Sequence, residues 1–430
     1  MFYNLLRSKT LKFGPKFFSS IQQTAQIPDS PLKGLRILDL SRILAGPLCT
    51  QMLGDMGAEV IKVEQPGLGD GTRSWGPPFV GSESTYFLGI NRNKKSIIID
   101  IKTPKGKELV IDLIKQCDVL VENFLPGKMK ELGLGWDDMK SVNPRLIYCS
   151  ISGFGATGPM SNKPGFDIIV SAMYGLMSIT GPEDGEEVKP GVALVDICTA
   201  LTAHGAILAA LYERTRSNTG QLLETSLMET QLASLANISS AYLISGVVPG
   251  KRWGSAHPSI VPYQAFPCKD DKKIVIGIGT DQQFKTFCKM VKLDHLVEDD
   301  RFRKNKNRVI NRKEIVQILN ELFMQKDLKD WLEFFGESTD FPIGPLRNIK
   351  EAYEDEQACH REMIKEVNHP TCGNIKMAGF PVKFSRTPMK IFEPPPLLGQ
   401  HTEDIVKNIL KYSDSQLENL LKEKVIICNY

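Results

Sequence analysis

From residue 31 onward the chain alternates short apolar runs with amphipathic ones, and this alternation constrains its fold more than any other feature. Residues 35–40 read as a short buried strand. Gly46-Pro47 opens an amphipathic helix that ends toward Gly54 and Gly57, and residues 59–64 return as a second strand. Thr103-Pro104 marks a helix start: a capping hydroxyl, then a proline whose missing N–H is not needed at the first helical position. That helix runs to Gln116, and strands follow over 118–122 and, after Asn143-Pro144, over 146–151. Strands separated by helices pair in parallel and are covered on both faces. The expected fold class is therefore α/β, with an open, Rossmann-like parallel sheet.

A chain of 430 residues exceeds one ordinary core, so a second domain is expected. Around 245–253 the character shifts to shorter, more polar elements. A strand over 273–278 and helices over 281–290, 312–324 and 328–335 describe a smaller α+β domain. Pro342-Ile343-Gly344-Pro345 reads as a loop near its end. After Pro394-Pro395-Pro396, Thr402-Glu403 opens a helix in a tail that packs back on the first domain. The expected division is a leader at 1–28, a large α/β domain at 29–235, a small domain at 236–350 and a return segment at 351–430. The leader carries Arg7, Lys9, Lys12 and Lys16, several Ser, and no acid before Asp29. That is the make-up of a mitochondrial presequence, which points to the matrix; a disordered basic tail is the other reading.

Charge excludes some partners. With 53 basic against 50 acidic residues, no field favours nucleic acid, and any bound anion needs a local site. Asp196 and His204 interrupt the best candidate for a bilayer span, so no membrane role is expected. Nine cysteines without a C-x-x-C pair suit a reducing compartment and suggest neither a zinc site nor a disulfide framework. The first strand is followed by Ser41-Arg42-Ile43-Leu44-Ala45-Gly46 rather than G-x-G-x-x-G, which argues against an NAD enzyme.

Asp196 is the most informative single side chain. It lies near the start of an apolar stretch, with Glu187 and Glu213 as its nearest acidic neighbours in sequence. The helix expected there should be largely buried, and its first N–H groups and dipole should keep the carboxylate ionised. Such a group is either a structural helix-cap acid or a desolvated nucleophile.

Several stretches, in order, resemble the class III CoA-transferase family, which also contains the 2-methylacyl-CoA racemases. They are Leu38-Asp39-Leu40-Ser41-Arg42 with Ala45-Gly46-Pro47, Gly57-Ala58-Glu59-Val60-Ile61-Lys62-Val63-Glu64 and Asn91-Arg92-Asn93-Lys94-Lys95-Ser96. Asp118-Val119-Leu120-Val121-Glu122-Asn123-Phe124, Ser152-Gly153-Phe154-Gly155 and Pro396-Leu397-Leu398-Gly399-Gln400-His401-Thr402 continue the set. Within the family, Arg73-Ser74-Trp75-Gly76-Pro77-Pro78-Phe79-Val80-Gly81, Arg252-Trp253-Gly254-Ser255-Ala256-His257 and Ile260-Val261-Pro262-Tyr263-Gln264-Ala265-Phe266 are similar to the mitochondrial branch that moves CoA from succinyl-CoA to glutarate.

The resemblance implies an interlocked homodimer, CoA thioesters as substrates, no permanently bound cofactor and no metal. It places the catalytic aspartate on Asp196, which would pass through an aspartyl anhydride and an aspartyl thioester. Asp167 matches a second acidic position, either orienting the site or anchoring a helix. In the racemases a histidine precedes that acid; here Phe166 does, and it cannot be a base. A racemase and a catalytically silent CoA-binding protein are the alternatives. Arg42, Ala45, Ile99, Lys102, Asn123, Phe124 and Lys163 fall on the family's CoA-binding surface. Leu44 and Gln65 depart from the formyl-CoA branch, whose glycine-rich loop is also absent. Trp75 is a candidate pocket wall. Arg73, Arg92 and Arg252 are candidates for the distal carboxylate of a dicarboxylic acid, with His257 as a donor; for each arginine a structural or surface role is the other reading.

Overall fold

The structure, a computed structural model, describes residues 29–248, 250–336 and 340–428; the basic leader lies outside them. Six parallel strands form the centre: β1 Arg36–Asp39, β2 Glu59–Glu64, β3 Lys94–Ile99, β4 Val119–Glu122, β5 Ile147–Ser152 and β6 Gln221–Ser226. Their spatial order is β3–β2–β1–β4–β5–β6, and a short strand, Ile426–Ile427, closes the β3 edge antiparallel. Alternate side chains serve opposite faces. Leu38, Ile61 and Leu120 pack beneath helix Pro104–Lys115 and the C-terminal Ile405, Val406 and Leu417. Ile37, Val60 and Val119 meet Cys49 and Leu53 of helix α1, Ala45–Asp55, on the other face. Burial on both faces is why β1 and β4 carry consecutive apolar residues without alternation.

The sequence expectations located β1, β2, β4 and β5 within a residue or so. They missed β3 and β6 as strands. β3 opens on Lys94 and Lys95, a polar start that hides a strand unless the buried partner of Lys94 is known. As expected, Thr103 caps the helix at Pro104, its hydroxyl accepting the Gly106 N–H at 3.0 Å.

The sheet order fixes where a ligand can bind. From β1 the chain returns over one face toward β2, whereas β4 continues on the other side. The loops leaving the carboxyl ends of β1 and β4 therefore diverge and open a crevice between them. Two helices approach it: α2, Asp167–Met173, and α3, Leu194–Ser217. Helix α3 corrects two expectations. Only one face is buried, through Val195, Thr199, Ala203 and Ile207, while Leu201 and Tyr212 stay exposed. By length and composition it could also cross a bilayer, despite Asp196 and His204, yet here it packs against α1 and the sheet.

Residues 261–341 supply a second core. Strands β7 Tyr263–Pro267, β8 Lys273–Gly277 and β9 Ile343–Pro345 form an antiparallel sheet covered by Phe284, Phe287, Phe323 and Trp331. The stretch read as a loop at 342–345 is thus mostly strand, with Ile343 opposite Ile276. Its prolines are tolerated because β9 is an edge strand.

Candidate active site

The crevice is built first from its loops. Asn123, just past β4, reads the backbone of Arg42 in both directions: it accepts the Arg42 N–H at 2.9 Å and donates to the Arg42 carbonyl at 2.7 Å. The Arg42 guanidinium lies 5.1 Å from the Phe124 ring centroid. Glu122 accepts the Phe124 N–H at 2.8 Å, and burial pushes its carboxyl up to about 7. The two loops are thereby stitched together before any ligand arrives.

They divide two cavities. One, of about 610 Å³, is lined by Arg42, Gln65, Ile99, Lys102, Phe124 and Lys128 among others. The other, of about 370 Å³, is lined by Arg42, Leu44, Ala45, Asn123, Phe166 and Asp196 among others. Arg42, Gln65 and Phe124 belong to both. The larger cavity has four cations at its wall: Lys62 is fully buried and paired with Asp70, while Arg42, Lys102 and Lys128 can meet an anionic ligand. The smaller has a carboxylate and mostly apolar walls. Among the expected CoA contacts, Arg42, Ala45, Ile99, Lys102, Asn123 and Phe124 come together here. Lys163 does not line either cavity, though its neighbours Pro164 and Gly165 do. The amide of Asn123 is also already committed to Arg42.

Asp196 occupies the first turn of α3, after Ala193, which offers no side-chain cap. It forms no hydrogen bond or ion pair with any described residue. Burial pushes its carboxyl up to about 7, and the nearby charge of Asp167 adds to the shift. The expectation that the helix terminus would keep it ionised is corrected. Desolvation and a like charge outweigh the dipole, which falls off within a turn. Asp167 accepts the Val195 N–H, so it caps α3 from another helix, and burial raises its own carboxyl. Tyr86, which sequence reasoning did not single out, belongs to this group. Burial and then the charges of Asp196 and Asp167 raise its phenol. The half-exposed Trp75 meets it edge-on at 5.3 Å, and neither ring lines either cavity. Nothing in the local sequence marks Tyr86. Lys128 could have been found by asking which cations follow β4.

The candidate arginines separate. Arg92 is buried and grips both oxygens of Asp55, at 2.8 and 2.7 Å. Arg73 grips Glu64 the same way, at 2.7 Å to each oxygen, and stacks 3.6 Å from the Phe87 ring. Both are structural, and neither offers a free edge to a substrate. Arg252 pairs with Glu187 at 2.5 Å, in the loop that leads to Asp196. His257 meets the Tyr263 ring at 5.5 Å with the planes tilted by 57°, and accepts the Ser259 N–H, in the small unit. Neither lines a cavity with Asp196.

Residues 32–402 match the profile of CoA-transferase family III. A mouse (Mus musculus) protein named succinyl-CoA:glutarate CoA-transferase is 52% identical over 92% of this chain and 90% of its own length. The human (Homo sapiens) protein of the same name is 49% identical over the same shares. Among solved structures, a CaiB/BaiF family protein from Brucella suis superposes with a TM-score of 0.79 at 38% identity, covering 89% of this chain and all of that one.

Proposed function

The chain belongs to CoA-transferase family III, and on that premise we propose that it moves CoA from succinyl-CoA to glutarate with Asp196 as the nucleophile. One observation carries the assignment: a carboxylate without a partner, its pKa near neutrality, stands in an apolar cavity beside a cationic one. Unpaired buried carboxylates are costly and are retained where they react.

The cationic cavity takes the phosphates of CoA, through Arg42, Lys102 and Lys128. The thioester then reaches the smaller cavity. An Asp196 oxygen attacks the succinyl carbonyl, the C–S bond breaks, and CoA leaves as thiolate with a mixed anhydride in place. The thiolate attacks the aspartyl carbonyl, expels succinate and leaves an aspartyl–CoA thioester. Glutarate repeats both steps in reverse order, ending with glutaryl-CoA and a free Asp196 carboxylate. Each exchange trades one activated acyl group for another, so no external energy source is required. Weak solvation of Asp196 raises its reactivity when ionised, and the apolar side chains of Leu44, Phe166 and Leu227 in the cavity lining limit the entry of water. Asp167 fixes the first turn of α3 through Val195. None of the three arginines lines the Asp196 cavity, and Arg252, which also donates to the Pro182 and Gly185 carbonyls, is assigned the distal carboxylate because its ion-pair partner is the exposed one. Its partner Glu187 is exposed, so a substrate carboxylate can replace it at little cost.

The same reading includes a homodimer and a matrix location. Phe166, Ile168, Ile169 and Met173, together with Tyr242, Leu243 and Ile244, leave broad apolar surface exposed in a single chain. Sedimentation gives the oligomeric state, and fractionation of cells expressing the full chain gives the location. The activity itself is tested with succinyl-CoA and glutarate. Glutaryl-CoA made by wild type and not by Asp196→Ala supports the assignment, and an Asp196→Ala protein as active as wild type removes it.

A further inference from the structure

Ile43 has φ +71°, and among the described residues it is the only β-branched one at positive φ. A branched Cβ makes this region sterically expensive, so the surroundings must impose it. Ile43 also lines the cavity that holds Asp196. The imposition is visible. Asp70 Oδ1 accepts the Ile43 N–H at 3.2 Å, and it also accepts the N–H and hydroxyl of Thr72, at 3.0 and 2.9 Å. Asp70 Oδ2 pairs with Lys62 Nζ at 2.9 Å, and that ammonium donates to the Ser41 carbonyl at 2.9 Å. The Lys62 and Asp70 side chains are fully buried. A Cβ built on Gly71 would lie 3.4 Å from Ile43 Cδ1, so the turn after Asp70 packs closely beneath the strained residue.

From this geometry we infer that Lys62 and Asp70 are positioning residues for the transfer reaction, clamping Ile43 in its left-handed conformation. The inference rests on the transferase reading above. Its physical basis is the next step of the chain. Leu44 and Ala45 follow directly, line the same cavity as Asp196, and begin α1 without a side-chain cap. The peptide between Ile43 and Leu44 therefore sets how the first turn of α1 faces the reacting carboxylate. If Ile43 relaxes to negative φ, that peptide rotates and the cavity wall moves with it. Two distant parts of the chain are thus used to hold one unfavourable dihedral, which a purely supportive ion pair would not need.

The test compares two double variants that differ only at residue 70. Lys62→Met with Asp70→Asn removes both charges but keeps an oxygen acceptor for the Ile43 N–H. Lys62→Met with Asp70→Ala removes the acceptor too. Removing both charges together avoids leaving one buried and unpaired. If the Ala form does not fold, Leu replaces it as the volume-matched apolar residue. The expected result is that kcat of the Ala or Leu form lies about tenfold or more below that of the Asn form, with KM for succinyl-CoA alike in the two. Both should melt at similar temperatures. Equal kcat in the two forms, or losses that track melting temperature in both, overturns the inference. A wild-type protein that makes no glutaryl-CoA defeats the transferase reading instead. Crystal structures of the two double variants then decide the clamp: Ile43 at positive φ only in the Asn form supports it, and Ile43 at positive φ in both overturns it.

Discussion

Asp39 and Asp196 flank the same crevice, and the protein treats them in opposite ways. Asp39 is fully buried, and burial alone would raise its carboxyl. The charges of Lys94, 2.9 Å away, and Lys62, 4.0 Å away, reverse the shift, as do hydrogen bonds from Ser41, and the group is held well below the usual carboxylate range. Asp196 is less deeply buried, has no cation, and stands near a second carboxylate; its carboxyl rises to about 7. Depth therefore does not separate scaffold from reactive acid. What separates them is whether the fold supplies compensating charge. Beneath the crevice Lys62, Lys94, Asp39 and Asp70 neutralise one another and fix the loops. Above it, Asp196 is left without a compensating cation, and Asp167 beside it adds a like charge.

The comparison breaks first at Asp196. Asp196→Ala should lower kcat by about 10⁴-fold or more, measured as glutaryl-CoA formed at saturating succinyl-CoA, because it removes the nucleophile rather than a supporting contact. The paired region should respond in the other currency. Lys94→Met leaves Asp39 with only the more distant Lys62, and should lose about 3–5 kcal/mol in urea unfolding.

A third change reverses the sign of a typical core mutation. The folded chain holds the Asp196 proton up to about pH 7, while the unfolded chain releases it near 3.8. Between those values the folded state binds more protons, so this group lowers stability as pH rises. Asp196→Asn should accordingly stabilise the protein at pH 8, by about 2 kcal/mol after allowance for partial exposure, and the gain should vanish by pH 4. Thermal melts across that range would show it, and a gain independent of pH would contradict the raised pKa. The smallest effect concerns Asp167. Wild-type kcat/KM should fall about tenfold per pH unit below the Asp196 pKa. Asp167→Asn keeps an acceptor for the Val195 N–H and drops the charge, so the profile should shift to lower pH, by less than desolvation contributes. A profile that does not move would leave desolvation as the sole cause.

Part of this contrast was legible in the sequence. Asp196 stood alone in an apolar stretch, and its place near a helix start followed from that stretch. Arg42, Ala45, Ile99, Lys102, Asn123 and Phe124 follow from the sequence resemblance, and the structure gathers them around the crevice. The arginines show where reading stopped. Nothing near Arg92 in sequence announces Asp55, and nothing near Arg73 announces how closely Glu64 takes it up. Tyr86 carries no signal in sequence, because a tyrosine just after a capping serine looks like any other surface or core aromatic.

Hydrophobic periodicity and capping residues act over a few positions, and so the order of residues was enough for β1, β2, β4, β5 and β8, the longer helices and the class of sheet. Strand order, the β9 strand at 343–345, the strain at Ile43 and the opposite states of Asp39 and Asp196 were decided only by the tertiary structure. Each depends on desolvation and on partners brought in from remote parts of the chain, as Lys94 is brought to Asp39 across 55 positions. Electrostatic energy is set by distance in space and by the loss of water, and neither quantity is written in the order of the residues.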